Sequence, residues 1–145
     1  MMPETPDIKF RMRIKRKGNG VEDVSFFFFT LDMILQGFLK PFERFEEWEI
    51  LSIDRFTGLF DIAEQEIYEK DIIKPQDDNG LKYAHVIMHQ HGCFGYMNSM
   101  DDFQALGRHS HYFNLQQGSH KSDKIIIIGN AHENPKLAQE IENNG

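Results

Sequence analysis

Ile8, Phe10, Met12 and Ile14 alternate with Lys9, Arg11, Arg13 and Lys15. A period of two predicts a β-strand with one buried face and one wet face. Gly18-Asn19-Gly20 supplies a turn, and Val21 to Phe29 reads as a returning strand, because four consecutive phenylalanines suit a pleated surface. Thr30 can cap a short helix over Leu31 to Gln36, with Asp32 in its first turn and Gly37 at its end. Pro41 then breaks regular structure. Beyond it, Trp48, Ile50, Ser52 and Asp54 alternate with Glu47, Glu49, Leu51 and Ile53, a further strand of mixed polarity.

The second half reads as short strands over Ile67 to Ile73, Lys82 to Gln90, Cys93 to Met97, His109 to Leu115 and Lys124 to Ile128. Turn formers at Pro75 to Gly80 separate the first two, and a helical turn is expected at Asp101 to Ala105. Asn134 as N-cap, with Pro135 at the first helical position, starts a terminal helix through Ile141. Five strands with turn signals roughly ten residues apart suggest a small barrel of the SH3-like kind. The predicted fold is therefore α+β and mainly β. Residues 1–54 form an N-terminal antiparallel sheet with one helix, and 55–145 form a C-terminal barrel closed by a short helix. The expected barrel core is Leu59, Ile67, Ile72, Val86, Met88, Phe94, Tyr112, Ile125 and Ile127.

Composition narrows the function classes. A chain of 145 residues holds one compact domain or two small ones sharing a core. Its 13 phenylalanines are ample for a packed interior. A net charge of −7 opposes binding to nucleic acid through bulk electrostatics. The single Cys93 cannot form an internal disulfide, which fits a reducing cytoplasm. The acidic, proline-bearing start MMPETPD is unlike a secretion signal, and Ser25 to Leu39 is too short and too polar to span a bilayer. The chain is expected to be soluble and cytoplasmic, with no membrane partner.

Two stretches carry a family resemblance. The first holds Phe56-Thr57-Gly58-Leu59, Asp61, Ile67-Tyr68-Glu69 and Asp71-Ile72-Ile73; the second holds Ile128-Gly129-Asn130, Glu133-Asn134-Pro135 and Leu137. With Ile8-Lys9-Phe10-Arg11 at the start and Gly92, Phe94 and Gly95 between, they resemble the signature blocks of the YopX family. Proteins of that family are small and encoded largely by phages and prophages. Met12 stands where an aromatic residue is usual, Ala63-Glu64 where an Asn-Gly-like turn is expected, Lys70 in place of a glycine and His132 in place of a tyrosine. The resemblance implies an accessory protein, with a ring or trimer among its oligomeric forms, and supplies no active site.

Three groups of residues bear on chemistry. His89-x-His91 and His109-x-His111 each place two imidazoles on one strand face. Converging, His89, His91, His109 and His111 could hold a divalent metal, with Asp101 or Glu133 completing a hydrolytic site. Against this, seven histidines produce H-x-H pairs by chance, and no Cys pair or H-E-x-x-H accompanies them. The second group is Lys9, Arg11, Arg13 and Lys15. It is a phosphate-tracking surface for nucleic acid, a partner for the acidic Glu43, Glu46, Glu47 and Glu49, or a plain solvated face. The third comprises Thr57, Gly58, Leu59, Tyr68, Glu69, Asp71, Gly129, Asn130, Asn134 and Pro135, which read as structural: a bend at Gly58, Asp71 accepting turn amides, and a strand exit into a helix cap.

No phosphate loop, dinucleotide fingerprint or nucleophile elbow is present. No catalytic residue and no cofactor is assigned. Phe26 to Phe29, Phe38, Phe42 and Phe45 exceed what about fifty residues can bury, so the N-terminal half is expected to form a homo-oligomer. The leading function is non-enzymatic binding of a macromolecule, a host or phage protein or nucleic acid, and the competing one is a small metal-dependent hydrolase on the four histidines.

Overall fold

The structure is a computed structural model that describes residues 8–16, 24–37, 48–90, 92–97, 103–106 and 120–144. The chain divides into two compact units, Met1–Phe56 and Thr57–Gly145. As the hydrophobic pattern indicated, it is α+β and mainly β, with antiparallel sheets and two helices among the described residues. The expected strand at His109 to Leu115, and Tyr112 with it, lies outside them.

In the first unit, β1 (Lys9–Arg16) pairs antiparallel with β2 (Val24–Thr30) on one side and β3 (Trp48–Phe60) on the other. The basic strand is therefore central, not an edge. Thr30 opens α1 (Leu31–Leu35): its Oγ1 accepts the Met33 backbone N–H at 3.2 Å, satisfying a first-turn donor. Met12, Ile14 and Phe29 are buried with Met33, Ile34 and Trp48 packed against them. Between Arg13 and Ile14 the β1–β3 register shifts by one residue, so Ile14 faces Ile50 while Arg13 faces Ser52. That slip moves Ile50 to the apolar side and leaves Ser52 and Asp54 on the basic side, breaking the simple alternation expected for this strand.

In the second unit, the end of β3 neighbours β4 (Glu66–Tyr68). β5 (Asp71–Pro75) lies between β6 (His85–Val86) and β10 (Ile125–Asn130), while β8 (Cys93–Met97) lies between β7 (Met88–Gln90) and β9 (Phe103–Ala105). The expected closed SH3-like barrel does not form among the described residues. Two of the predicted strands, Ile67 to Ile73 and Lys82 to Gln90, are interrupted, which leaves short ladders in place of long ones. A turn at Glu69–Lys70 splits Ile67 to Ile73, and Ile87 interrupts Lys82 to Gln90 by bonding sideways: its N–H donates to Asp71 O at 2.9 Å and its carbonyl accepts from Lys70 N at 2.8 Å. Residues 103–105, expected as a helical turn, are strand instead because they pair with β8.

Two hydrophobic clusters fill this unit. Leu59, Ile67, Ile73, Ile87, Leu106 and Ile125 make one, with Phe94, Tyr96 and Ile127 against it. Ile72, Ala84, Val86, Ala138 and Ile141 make the other, with α2 (Pro135–Asn144) contributing its apolar stripe. Among the described residues no helix is long and apolar enough to cross a membrane.

Candidate binding surface

Strand alternation sets Lys9, Arg11, Arg13 and Lys15 in a row along the middle of the first unit's sheet. Directly opposite residues of an antiparallel pair share a face. Thr30, Phe28, Phe26 and Val24 on β2, and Asp54, Ser52 and Glu49 on β3, therefore flank that row. The face is not the uniformly wet surface that the charges suggested. Arg11 is only 8% exposed: its Nη2 donates to Asp54 Oδ2 at 3.2 Å, and its guanidinium lies over the Phe26 ring. Pairing both charges in one buried contact offsets part of the desolvation penalty that either would carry alone. Lys9 lies over the Phe56 ring at 5.6 Å, and Lys15 stands opposite Glu49 in the ladder.

Arg13 Nε is buried with no hydrogen-bond partner among the described residues, and the same is true of Ser52 Oγ, the residue directly across the ladder from it. Ser52 carried no signal as a functional residue in the sequence, because the β1–β3 register that sets it opposite Arg13 cannot be read from alternation alone. Phe28, on the same face, is 55% exposed.

The opposite face is apolar. Phe10, Met12 and Ile14 lie alongside Phe27 and Phe29, and Ile50 and Ile53 continue the face on β3. Part is buried against α1, but Ile53 is 51% exposed, Leu35 on the helix itself is 75% exposed, and Ile50 and Phe27 are exposed as well.

Of the four histidines, His89 is the described one; His91, His109, His111 and Asp101 lie outside the described residues. His89 sits on β7 edge-on to the Phe94 ring, centroids 4.9 Å apart. Glu133 accepts from Asn130 Nδ2 within its own turn. Among the described residues no three or more His, Cys, Asp or Glu gather where they could hold a metal ion.

The signature residues hold the second unit together. Thr57 Oγ1 donates to Ile67 O at 2.7 Å and accepts from Leu59 N, while Gly58 between them takes φ 81°. Asp71, buried, accepts the Tyr68 N–H at 2.8 Å and closes the turn that carries Glu69. Leu59 and Tyr68 are buried. Asn130 Oδ1 accepts from Glu133 N and Asn134 Oδ1 accepts from Asn130 N, a reciprocal turn that leads into Pro135 and α2. At Gly129 a side chain would collide with Asn134. These bonds are satisfied internally, as a strand exit requires, and leave no loop of free amides for a phosphate.

Comparison with known proteins agrees with the motif pattern. A family model described as YopX protein matches residues 32–139. No curated protein matches the chain. Among solved structures, it is similar to the crystal structure of protein EF1440 from Enterococcus faecalis, at 23% identity and a TM-score of 0.41 over 88% of this chain and 74% of that one.

Proposed function

This chain belongs to the YopX family, and on that premise we propose that it is a phage or prophage accessory protein that works in the bacterial cytoplasm by binding a macromolecule, without catalysis. One observation carries the reading. Large hydrophobic side chains exposed in the first unit include Ile8, Phe28, Leu35, Ile50 and Ile53, whereas Tyr83 is the single one among the described residues of the second. Exposed apolar area gains about 25 cal/mol per Å² when a partner covers it, and patches gathered on one unit mark interaction sites. A second copy of the chain is the first such partner, since one apolar face can meet itself across a two-fold axis.

Light scattering on the purified full chain at micromolar concentration tests self-association. A mass that is a multiple of the single chain, falling to one chain when Ile50 and Ile53 are both changed to Asp, is the expected result. A wild-type protein that runs as one chain, and that recovers neither protein nor nucleic acid from host lysate, overturns the reading.

A further inference from the structure

We propose that the basic face of the β2–β1–β3 sheet binds single-stranded nucleic acid, taking a phosphate between Arg13 and Ser52 and a base against Phe28. The inference deepens the macromolecule-binding reading above and rests on it.

The starting point is two unmet donors. Arg13 Nε and Ser52 Oγ are both buried and have no hydrogen-bond partner among the described residues. Buried donors without acceptors are unfavourable and uncommon in folded proteins. Here the two belong to residues that face each other across the β1–β3 ladder, so their side chains rise from one face a single strand spacing apart. One anionic oxygen group placed between them would accept from both. The guanidinium is suited to that role, because its planar fork matches a phosphate and its charge is not lost at any ordinary pH.

The neighbours decide which cation of the row is open to a ligand. Arg11 is committed to Asp54 and Phe26, Lys9 lies over Phe56, and Lys15 stands opposite Glu49. Arg13 has Phe26 and Ser52 as its cross-strand partners, neither of which is acidic. Asp54 is buried in its pairing with Arg11, which leaves it little repulsion to exert on an incoming phosphate.

The aromatic residues select the kind of anion. Phe28, opposite Arg11, stands two positions along β2 from Phe26, the residue opposite Arg13, so it is a diagonal neighbour of Arg13, roughly 7 Å away on the same face. Its ring is exposed. A basic sheet face interleaved with exposed aromatic rings suits unpaired bases, which stack on the rings while their phosphates meet the cations. A duplex hides its base faces and would leave Phe28 unused. The net charge of −7 opposes long-range attraction, so affinity must come from these local contacts.

Fluorescence anisotropy with labelled oligothymidine, oligouridine and a duplex, on the full-length chain at low salt, tests the proposal. Both single strands should bind, the duplex more weakly, and binding should weaken with salt by about 0.7 log units per log unit for each phosphate neutralised. Arg13→Ala should lower affinity about tenfold and Phe28→Ala by about five- to 100-fold. Ser52→Ala, which removes one oxygen and leaves the core intact, should lower it a few-fold, while Arg13→Lys should retain part of the binding. Circular dichroism of each variant separates lost binding from lost fold.

No binding to either strand, preference for the duplex, or wild-type affinity in both Ser52→Ala and Phe28→Ala overturns the proposal. A chain that binds no oligonucleotide but self-associates or captures a protein through Ile50 and Ile53 defeats this inference alone. A chain that does none of these defeats the macromolecule-binding reading with it.

Discussion

Asp61 reaches across 66 positions of the chain to accept the backbone N–H of Ile127 at 3.2 Å. Its other oxygen accepts from Ala63 N and Gln65 N, each at 2.9 Å. One fully buried carboxylate thus ties the turn after β3 to strand β10. The same region is fastened again where Ile62 N donates to Ile125 O. Asp61 belongs to the sequence pattern shared with the family, and its place there is explained by three amides that need an acceptor.

Asp61→Asn turns one of those acceptor oxygens into a donor that faces backbone N–H groups. A loss of about 1–3 kcal/mol per amide left unsatisfied is expected in urea unfolding, with Asp61→Ala at least as severe. Unchanged stability of Asp61→Asn would show that the network is not what holds the turn.

Glu64 and Lys70 are the two non-glycine residues among the described ones with positive φ, at 64° and 71°. They stand at the two places where the family resemblance leads one to expect a glycine. The backbone has kept a left-handed shape that an L side chain strains by about 1–2 kcal/mol, partly offset because glycine is freer in the unfolded chain. Lys70→Gly and Glu64→Gly should each raise stability by about 0.5–1 kcal/mol, read as an upward shift of the thermal midpoint. A lower midpoint in both would mean that those side chains contribute more than the backbone conformation costs.

Gly95 pairs with Met88 on one side and Ala105 on the other. A Cβ there would run into the Gln104 carbonyl and the Phe103 ring. Gly95→Ala should cost about 1–3 kcal/mol, as overpacking does, whereas Gly92→Ala meets no neighbour and faces only its positive φ. Equal midpoints for Gly95→Ala and wild type would contradict the packing of β8 between its neighbours.

His85 on β6 stacks on Tyr96 of β8, ring centroids 3.9 Å apart and 19° from parallel. Burial lowers the His85 pKa from 6.5 to about 4 and raises that of Tyr96. The unfolded chain therefore binds a proton between about pH 6.5 and 4 that the folded chain refuses, so stability falls as pH falls through that window. His85→Phe, which keeps a stacked ring without the proton, should flatten this part of the stability profile. An unchanged slope in His85→Phe would assign the acid sensitivity elsewhere.

The strand and helix signals that depend on local chemistry were legible in the sequence. Thr30 caps α1, Gly37 follows it at φ 87°, and Pro135 starts α2. Leu59, Ile67, Ile72, Val86 and Ile125 are core residues because each lies on an apolar strand run. What depended on long-range register was not legible. The β1–β3 pairing hides Arg11 beside Asp54, 43 positions away, on a face that charge alone marks as solvent. The shift opposite Arg13 moves Ser52 and Ile50 to different sides, a change that a period of two cannot announce. The turn at Lys70 and the break at Ile87 cut strands that look continuous in composition, because side-chain-to-backbone and cross-strand bonds prevail over the apolar run.

The most direct measurement places a photo-crosslinking amino acid at Ile53 in one variant of the full chain and at Tyr83 in another, with irradiation in bacterial cells. Both positions are exposed, one in each unit. A second copy of the chain, or another protein, covering the apolar face of the first unit should give a discrete crosslinked species at Ile53 and none at Tyr83. No crosslink at Ile53, or the same faint pattern at both, would contradict binding through the apolar face of the first unit.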